Sequence, residues 1–490
     1  MRSTLPSNAS QEKEQRVARL VCISNRVADP RKTEAGGLAV ALSGALQANG
    51  GMWFGWSGKI LPEDGATPAE TPVHQQQAGN VTLATLDLSQ WDHDAYYLGY
   101  SNAVLWPVFH YRLDLADFDA GYIGGYRRVN QLFAAKLMPL LKEDDIVWVH
   151  DYHLIPLASE LRALGCRNKI GFFLHIPLPP PQIFTAIPAH DWLARALFAY
   201  DLVGFQSEAD LEHFTRYAST AARAEDRDGD GRRWRAFGRT LRTAAFPIGI
   251  DVEEFDALTH AHDATEMYRR MREEYSRRQL LVGVDRLDYS KGLPQRLRAF
   301  RELLRRHPDN IRRATLIQIA APSREDVDAY GDILRELESL AGSMNGDFGE
   351  LDWVPVRYMH RTMARKRLPG LYRAARVALV TPLRDGMNLV AKEFVAAQDP
   401  EDPGVLVLSR FAGAVEQMRE GAVLVNPYDS TATADAIQFA LQLPLAERRR
   451  RHQNLMATIR RFDVHWWCQA FLEELSTADA EPTGPDWLRL

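Results

Sequence analysis

The chain has 490 residues, 46% hydrophobic and 25% charged, a balance that suits a globular protein with more than one core. Lys and Arg number 59 against 64 Asp and Glu, a net charge of -5, which excludes the broad basic surface that holds nucleic acid or anionic membrane. Cys22, Cys166 and Cys468 lie far apart without metal-ligand spacing, which excludes a disulfide framework and a zinc site and points to a reducing cytoplasm.

Residues 1–16 are polar, lack the apolar core of a secretion signal, and are expected to form a disordered tail. No run approaches the about 20 apolar residues that cross a bilayer, so a cytoplasmic protein is expected. Apolar segments at residues 17–23, 146–150, 170–175 and 202–206 read as strands, with helical spacing at 126–141, 152–164, 189–199 and 208–217. The rhythm repeats with strands at 280–284, 315–320, 377–381, 405–408 and 423–425 and helices at 297–306, 325–341 and 389–397. This βαβ alternation predicts an α/β protein of two Rossmann-like domains, residues 17–247 and 248–458, joined near residues 246–250. Residues 53–94 read as a β-rich insertion whose strands the pattern does not place. The polar stretch 223–235 begins like a calcium loop, but Phe237 stands where a bidentate glutamate is required, so a surface loop is expected.

The chemistry concentrates after strands. Arg286-Leu287-Asp288-Tyr289-Ser290-Lys291-Gly292 follows the strand at 280–284, which presents two cations where open α/β sheets bind ligands. Five residues apart across a loop, Arg286 and Lys291 can converge on one diphosphate; pairing with Asp285 or Asp288 is the alternative. The strand at 377–381 delivers a second loop, ending Arg384-Asp385-Gly386-Met387-Asn388 before Leu389-Val390-Ala391-Lys392-Glu393. Glu393 suits a ribose clamp and Asp385 a sugar hydroxyl or a helix cap, while amides around Gly386, Met387 and Asn388 suit a phosphate at the helix start. Gly36 and Gly37 open a helical run as an anion cradle or a tight turn; their spacing is not the G-x-G-x-x-G of a dinucleotide binder. His150-Asp151-Tyr152-His153 and Phe173-Leu174-His175-Ile176-Pro177 end consecutive strands, and Tyr97 and Trp106 fit either core packing or stacking on a sugar.

Taken with Ser24-Asn25-Arg26, Trp53-Phe54-Gly55-Trp56 and Ser101-Asn102-Ala103-Val104-Leu105-Trp106-Pro107, these motifs resemble the trehalose-6-phosphate synthase family, retaining glucosyltransferases of the GT-B fold. The matches run in family order from about residue 20 to about residue 470. The resemblance implies transfer of glucose from a nucleotide-diphosphate donor, usually UDP-glucose, to glucose 6-phosphate. It places Gly36, Gly37, Arg286, Lys291, Met363 and residues 385–393 at the donor and His175 at the transferred glucose. Arg26, Tyr97, Asp151 and Arg324 fall at the acceptor, with Trp106 selecting its anomer, and Arg286, Lys291, Asp151 and His175 form the catalytic group. It implies front-face attack without metal or other cofactor and residues 459–490 packing back on the first domain. No phosphatase domain is read after the transferase, so a separate trehalose-phosphate phosphatase is expected to act on the product, and a homo-oligomer is left open as a partner state. His360-Arg361-Thr362-Met363 lies where the family meets the nucleotide base and leaves uracil, adenine and guanine open. A transferase with another phosphorylated acceptor, such as glycerol 3-phosphate, and a catalytically silent sugar-phosphate sensor are the competing readings; the sensor is disfavoured because Arg286, Lys291 and Glu393 are all present.

Overall fold

The computed structural model describes residues 18–28, 42, 44, 46, 50–61, 71–323 and 328–478. Two twisted sheets carry the fold. The first contains β1 (Leu20–Arg26), β2 (Gly51–Leu61), β3 (His74–Ala78), β4 (Val81–Ser89), β5 (Ile146–His150), β6 (Lys169–Phe173), β7 (Leu202–Phe205), β8 (Glu225–Asp226), β9 (Arg233–Ala236) and β10 (Arg239–Ala245). Their order is β3-β4-β2-β1-β5-β6-β7-β10-β9-β8, parallel except at the two edges. The second, wholly parallel, contains β11 (Gln279–Arg286), β12 (Ala314–Ala321), β13 (Val356–Met359), β14 (Val377–Val380), β15 (Val405–Ser409) and β16 (Val423–Val425) in the order β13-β12-β11-β14-β15-β16.

Helices cover both faces, so strands such as β7 and β14 are buried at every residue and read as unbroken apolar runs. Among the parallel strands of each sheet the order reverses once, between β1 and β5 and between β11 and β14. Such a reversal opens a crevice at the carboxyl ends of the strands. The loops carrying His150-Asp151, Arg286 to Gly292 and Pro382 to Asn388 all leave from these strands.

The region expected as an insertion is part of the first sheet: β2 lies directly beside β1, with Leu20 opposite Gly51. Gly51, Gly55 and Gly58 interrupt its side-chain pattern, which is why the strand was not placed. The expected surface loop at 223–235 is a hairpin extending the sheet edge, and the Asp226 carboxylate accepts the N–H groups of Asp228, Gly229 and Gly231 within its turn. Between the last strand of the β-rich region and the helix Ala120–Leu137, residues His93–Leu105 form a π-helical run whose end is marked by Trp106 N–H donating to Ser101 O, five residues back.

The connector after β10 leads into the second sheet, and the chain then returns. Helix Val464–Thr477 lies on the first sheet, with the Trp467 and Phe471 rings 4.8 and 4.6 Å from that of Trp148. A methyl group on Gly171 would stand 2.7 Å from the Phe471 ring, so the strand must be bare there. Among the described residues no helix is long and apolar enough to cross a membrane.

Candidate active site

β11 ends on Arg286, an exposed side chain whose guanidinium carbon lies 5.9 Å from the Trp106 ring of the opposite domain. It donates no hydrogen bond to another described residue. Its acidic neighbours are engaged elsewhere. Asp285 turns inward to buried Arg296 at 2.7 Å, and Asp288 accepts from Ser290 N–H at 2.9 Å and the Tyr330 hydroxyl at 3.0 Å. Lys291 pairs instead with Asp385, Nζ to Oδ2 at 2.6 Å, and Asn388 Nδ2 donates to the same oxygen at 3.0 Å. The cap position of helix Leu389–Ala396 belongs to Asn388 in left-handed backbone (φ 82°), so Asp385 is not its cap.

Around this loop, Met387 and Ala391 are buried, while Leu389, Val390 and Met363 are half-buried against the same core. Lys392 points away from the loop: its Nζ donates to Ile248 O at 2.7 Å and Gln417 Oε1 at 2.6 Å. Burial without an acidic partner lowers it to about 7. Glu393 is pushed up to about 7, chiefly by burial, against the pull of Arg365.

Opposite, Asp151 takes φ 75° and ψ 165°, a costly conformation for a residue with a Cβ, directly after β5. Its N–H donates to Phe173 O at 2.8 Å and its carboxylate accepts His175 N–H at 3.3 Å. The His175 ring faces its own domain, with Nε2 3.1 Å from His150 Nδ1 and Nδ1 3.4 Å from Gln206 Nε2. Burial lowers it to about 3, so the ring is neutral. Its carbonyl faces the other domain: a methyl on Gly386 would stand 2.3 Å from His175 O. Arg26 occupies the space that Gly58 leaves open and lies 5.9 Å from the Trp56 ring, which also meets Tyr97 at 5.8 Å. Tyr97 stacks on His153, and Trp106 lies 4.1 Å from His110.

The structure thus assembles four groups at the facing sheet edges: Arg286 with Trp106, Lys291 with Asp385 and Asn388, His175 with Asp151 and Gly386, and Arg26 with Tyr97. The Lys392 side chain stands apart from them. Gly36, Gly37 and Arg324 lie outside the described residues.

Residues 8–477 match the family model described as glycosyltransferase family 20. The chain belongs to glycosyltransferase family 20. A trehalose-6-phosphate synthase of Enterobacter sp. (strain 638) is 49% identical to it over 461 residues, 94% of this chain and 95% of the relative. The solved α,α-trehalose-phosphate synthase (UDP-forming) of Burkholderia xenovorans in complex with glucose-6-phosphate is similar at TM-score 0.89 and 49% identity, over 94% of this chain and all of that one. An E. coli structure bound with UDP-2-fluoro glucose matches at TM-score 0.88 and 47% identity, over 94% of this chain and 99% of that one. The fold is therefore the GT-B fold of these glycosyltransferases.

Sequence reasoning passed over several residues that shape this family 20 site. Arg384 crosses to the first domain, its guanidinium 4.0 Å from the Tyr111 ring centroid and hydrogen-bonded to the Tyr111 hydroxyl. His110 supports Trp106 from beneath, its Nδ1 2.7 Å from Trp106 O, and burial lowers it to about 4. Glu416 of the second domain accepts the N–H groups of Glu208 and Ala209 at 3.0 and 3.2 Å. Arg384 stood inside a motif already singled out, and His110 lies four residues after Trp106; Glu416 carries no local signal, because its partners come from a distant segment.

Proposed function

We propose that this glycosyltransferase moves glucose from UDP-glucose to the anomeric hydroxyl of glucose 6-phosphate, giving α,α-trehalose 6-phosphate and UDP with retained configuration. The observation that carries the reading is Arg286, an exposed cation at the end of β11 that donates no hydrogen bond to another described residue, held over Trp106 of the facing domain while Lys291 stands ready on Asp385. The ligands named for the Burkholderia and E. coli structures supply the donor and acceptor chemistry.

As the donor C1–O bond breaks, negative charge grows on the departing diphosphate, and Arg286 with Lys291 stabilises it there. The acceptor oxygen attacks from the face the diphosphate leaves, and its proton passes to the leaving phosphate oxygen. The protein's part is positioning and fixed charge, so no divalent ion is required. Asp385 and the amides of Gly386, Met387 and Asn388 address the sugar and phosphate, and Glu393 the ribose. Arg26 and Arg324 hold the acceptor phosphate, and Tyr97, Asp151 and Trp106 its ring. On this reading residues 17–247 form the acceptor domain and 248–458 the donor domain, residues 459–490 return to the first, and a separate cytoplasmic phosphatase consumes the product.

Purified protein given UDP-glucose and glucose 6-phosphate should release UDP, and chelation of divalent ions with EDTA should leave the rate unchanged. Absence of release with every nucleotide-glucose donor would overturn the reading. Release with glycerol 3-phosphate in place of glucose 6-phosphate would reassign the acceptor.

A further inference from the structure

Gln206 follows β7 directly and is buried, with 2% of its surface exposed. Its Oε1 accepts the N–H of Ile248, in the connector between the domains, at 3.0 Å, and its Nε2 lies 3.4 Å from His175 Nδ1. A main-chain N–H only donates, so the amide oxygen must face Ile248 and the amide NH2 must face His175. His175 Nδ1 then accepts, and the ring proton sits on Nε2, which donates to His150 Nδ1 at 3.1 Å. The His150 proton is left on Nε2, buried without a partner among the described residues. One connector N–H therefore sets the proton positions of two histidines.

The other side of the same connector residue is held from the second domain. Ile248 O accepts Lys392 Nζ at 2.7 Å, and that ammonium also reaches Gln417 Oε1 at 2.6 Å. Lys392 immediately precedes Glu393 in the helix that starts at the Asp385 loop. A hydrogen-bonded path thus runs from His175 through Gln206, Ile248 and Lys392 to Gln417.

We propose that Gln206 is a positioning residue, which fixes the tautomer of His175 and, through Ile248 and Lys392, ties that histidine to the helix bearing the ribose-side carboxylate. The assignment of His175 and Glu393 to the donor rests on the proposed reaction; the tautomer does not. Buried contacts serving only stability would leave the turnover of folded enzyme unchanged.

Nitrogen-15 NMR of the histidine-labelled full chain should show His175 with a bare Nδ1 and a protonated Nε2. In Gln206→Met, a near-isostere without donor or acceptor, the two tautomers should mix. In the UDP-release assay, the same variant should lose about 10- to 100-fold in kcat with little change in the KM for UDP-glucose, the signature of misplacement rather than lost binding. Lys392→Met should lose kcat likewise, and the double variant should be no worse than the more damaged single, because both cut one path. A protonated Nδ1 on wild-type His175, unchanged kcat in folded Gln206→Met, or additive losses in the double variant would overturn the proposal. The wild-type tautomer measurement keeps it falsifiable even where a variant does not fold. A wild-type protein that releases no UDP would sink the assigned reaction instead and leave the tautomer result standing.

Discussion

Lys291 is oriented before any ligand arrives: Asp385 holds its ammonium, and Asn388 donates to the same carboxylate oxygen. An electrostatic donor fixed in advance pays no reorganisation when charge develops, and one such group supplies about 3 kcal/mol. Lys291→Ala should therefore lower kcat about 100- to 1,000-fold in the UDP-release assay. The Asn388 bond should keep the loop in place, so the circular dichroism spectrum should not change; unchanged kcat would mean that the leaving group sits elsewhere. Glu393 makes a different prediction. Burial raises it to about 7, so near that pH half of the molecules carry its proton. Ribose hydroxyls donate to a carboxylate, so nucleotide binding favours the ionised form and drives the proton off. Titration calorimetry of UDP at pH 7 in buffers of differing ionisation enthalpy should show more proton release for wild type than for Glu393→Gln. Equal release would separate Glu393 from the ribose.

At the scale of elements, the returning helix Val464–Thr477 is fastened by side chains that fit one place on the sheet. Phe471 is fully buried between Trp148, Phe173 and Phe246, over the bare backbones of Gly171 and Gly204. Truncating a buried phenylalanine costs about 3–5 kcal/mol through lost transfer energy and the cavity left behind. Phe471→Ala should lower the urea midpoint accordingly; a shift corresponding to less than about 1 kcal/mol would mean that the helix is dispensable to the first domain. Why some elements were legible follows from the same burial. β5, β11, β12, β14, β15 and β16 are apolar runs bounded by turns, and each lies within a few residues of its expected span. β13 escaped notice because Arg357, Tyr358 and Met359 are at least partly exposed on an edge strand, and the π-helical run because its spacing is neither 2 nor 3.6 residues. The loops of the site were legible because they follow buried strands and concentrate cations and carboxylates. Gln206, Arg384 and Glu416 are site-shaping only through partners 42, 273 and 208 residues away, which no local pattern records.

Across the whole molecule, one buried apolar cluster runs from the first sheet through the connector and the returning helix into the second, and polar contacts are added to it where the loops of the two domains face each other. Arg286 lies on Trp106, Arg112 on Tyr289 and Arg384 on Tyr111, while Glu416 caps the first turn of helix Glu208–Thr220. Glu416 also stands three residues beyond Gly413, whose N–H donates to Asp385 O at 3.0 Å, so one short segment answers both to the Asp385 loop and to the facing domain. A carboxylate at a helix N-terminus contributes about 0.3–1 kcal/mol when partly exposed, enough to bias an opening equilibrium without locking it. Glu416→Ala should therefore raise the KM for UDP-glucose about 2- to 5-fold, the factor that such an energy represents. Small-angle X-ray scattering should show a larger radius of gyration for the ligand-free variant than for wild type, and saturating UDP-glucose should restore it, since a donor bridging both domains replaces the lost contact. If neither the KM nor the radius changes, Glu416 is a surface cap, and the domains are held by the apolar cluster and the arginine–aromatic contacts without it.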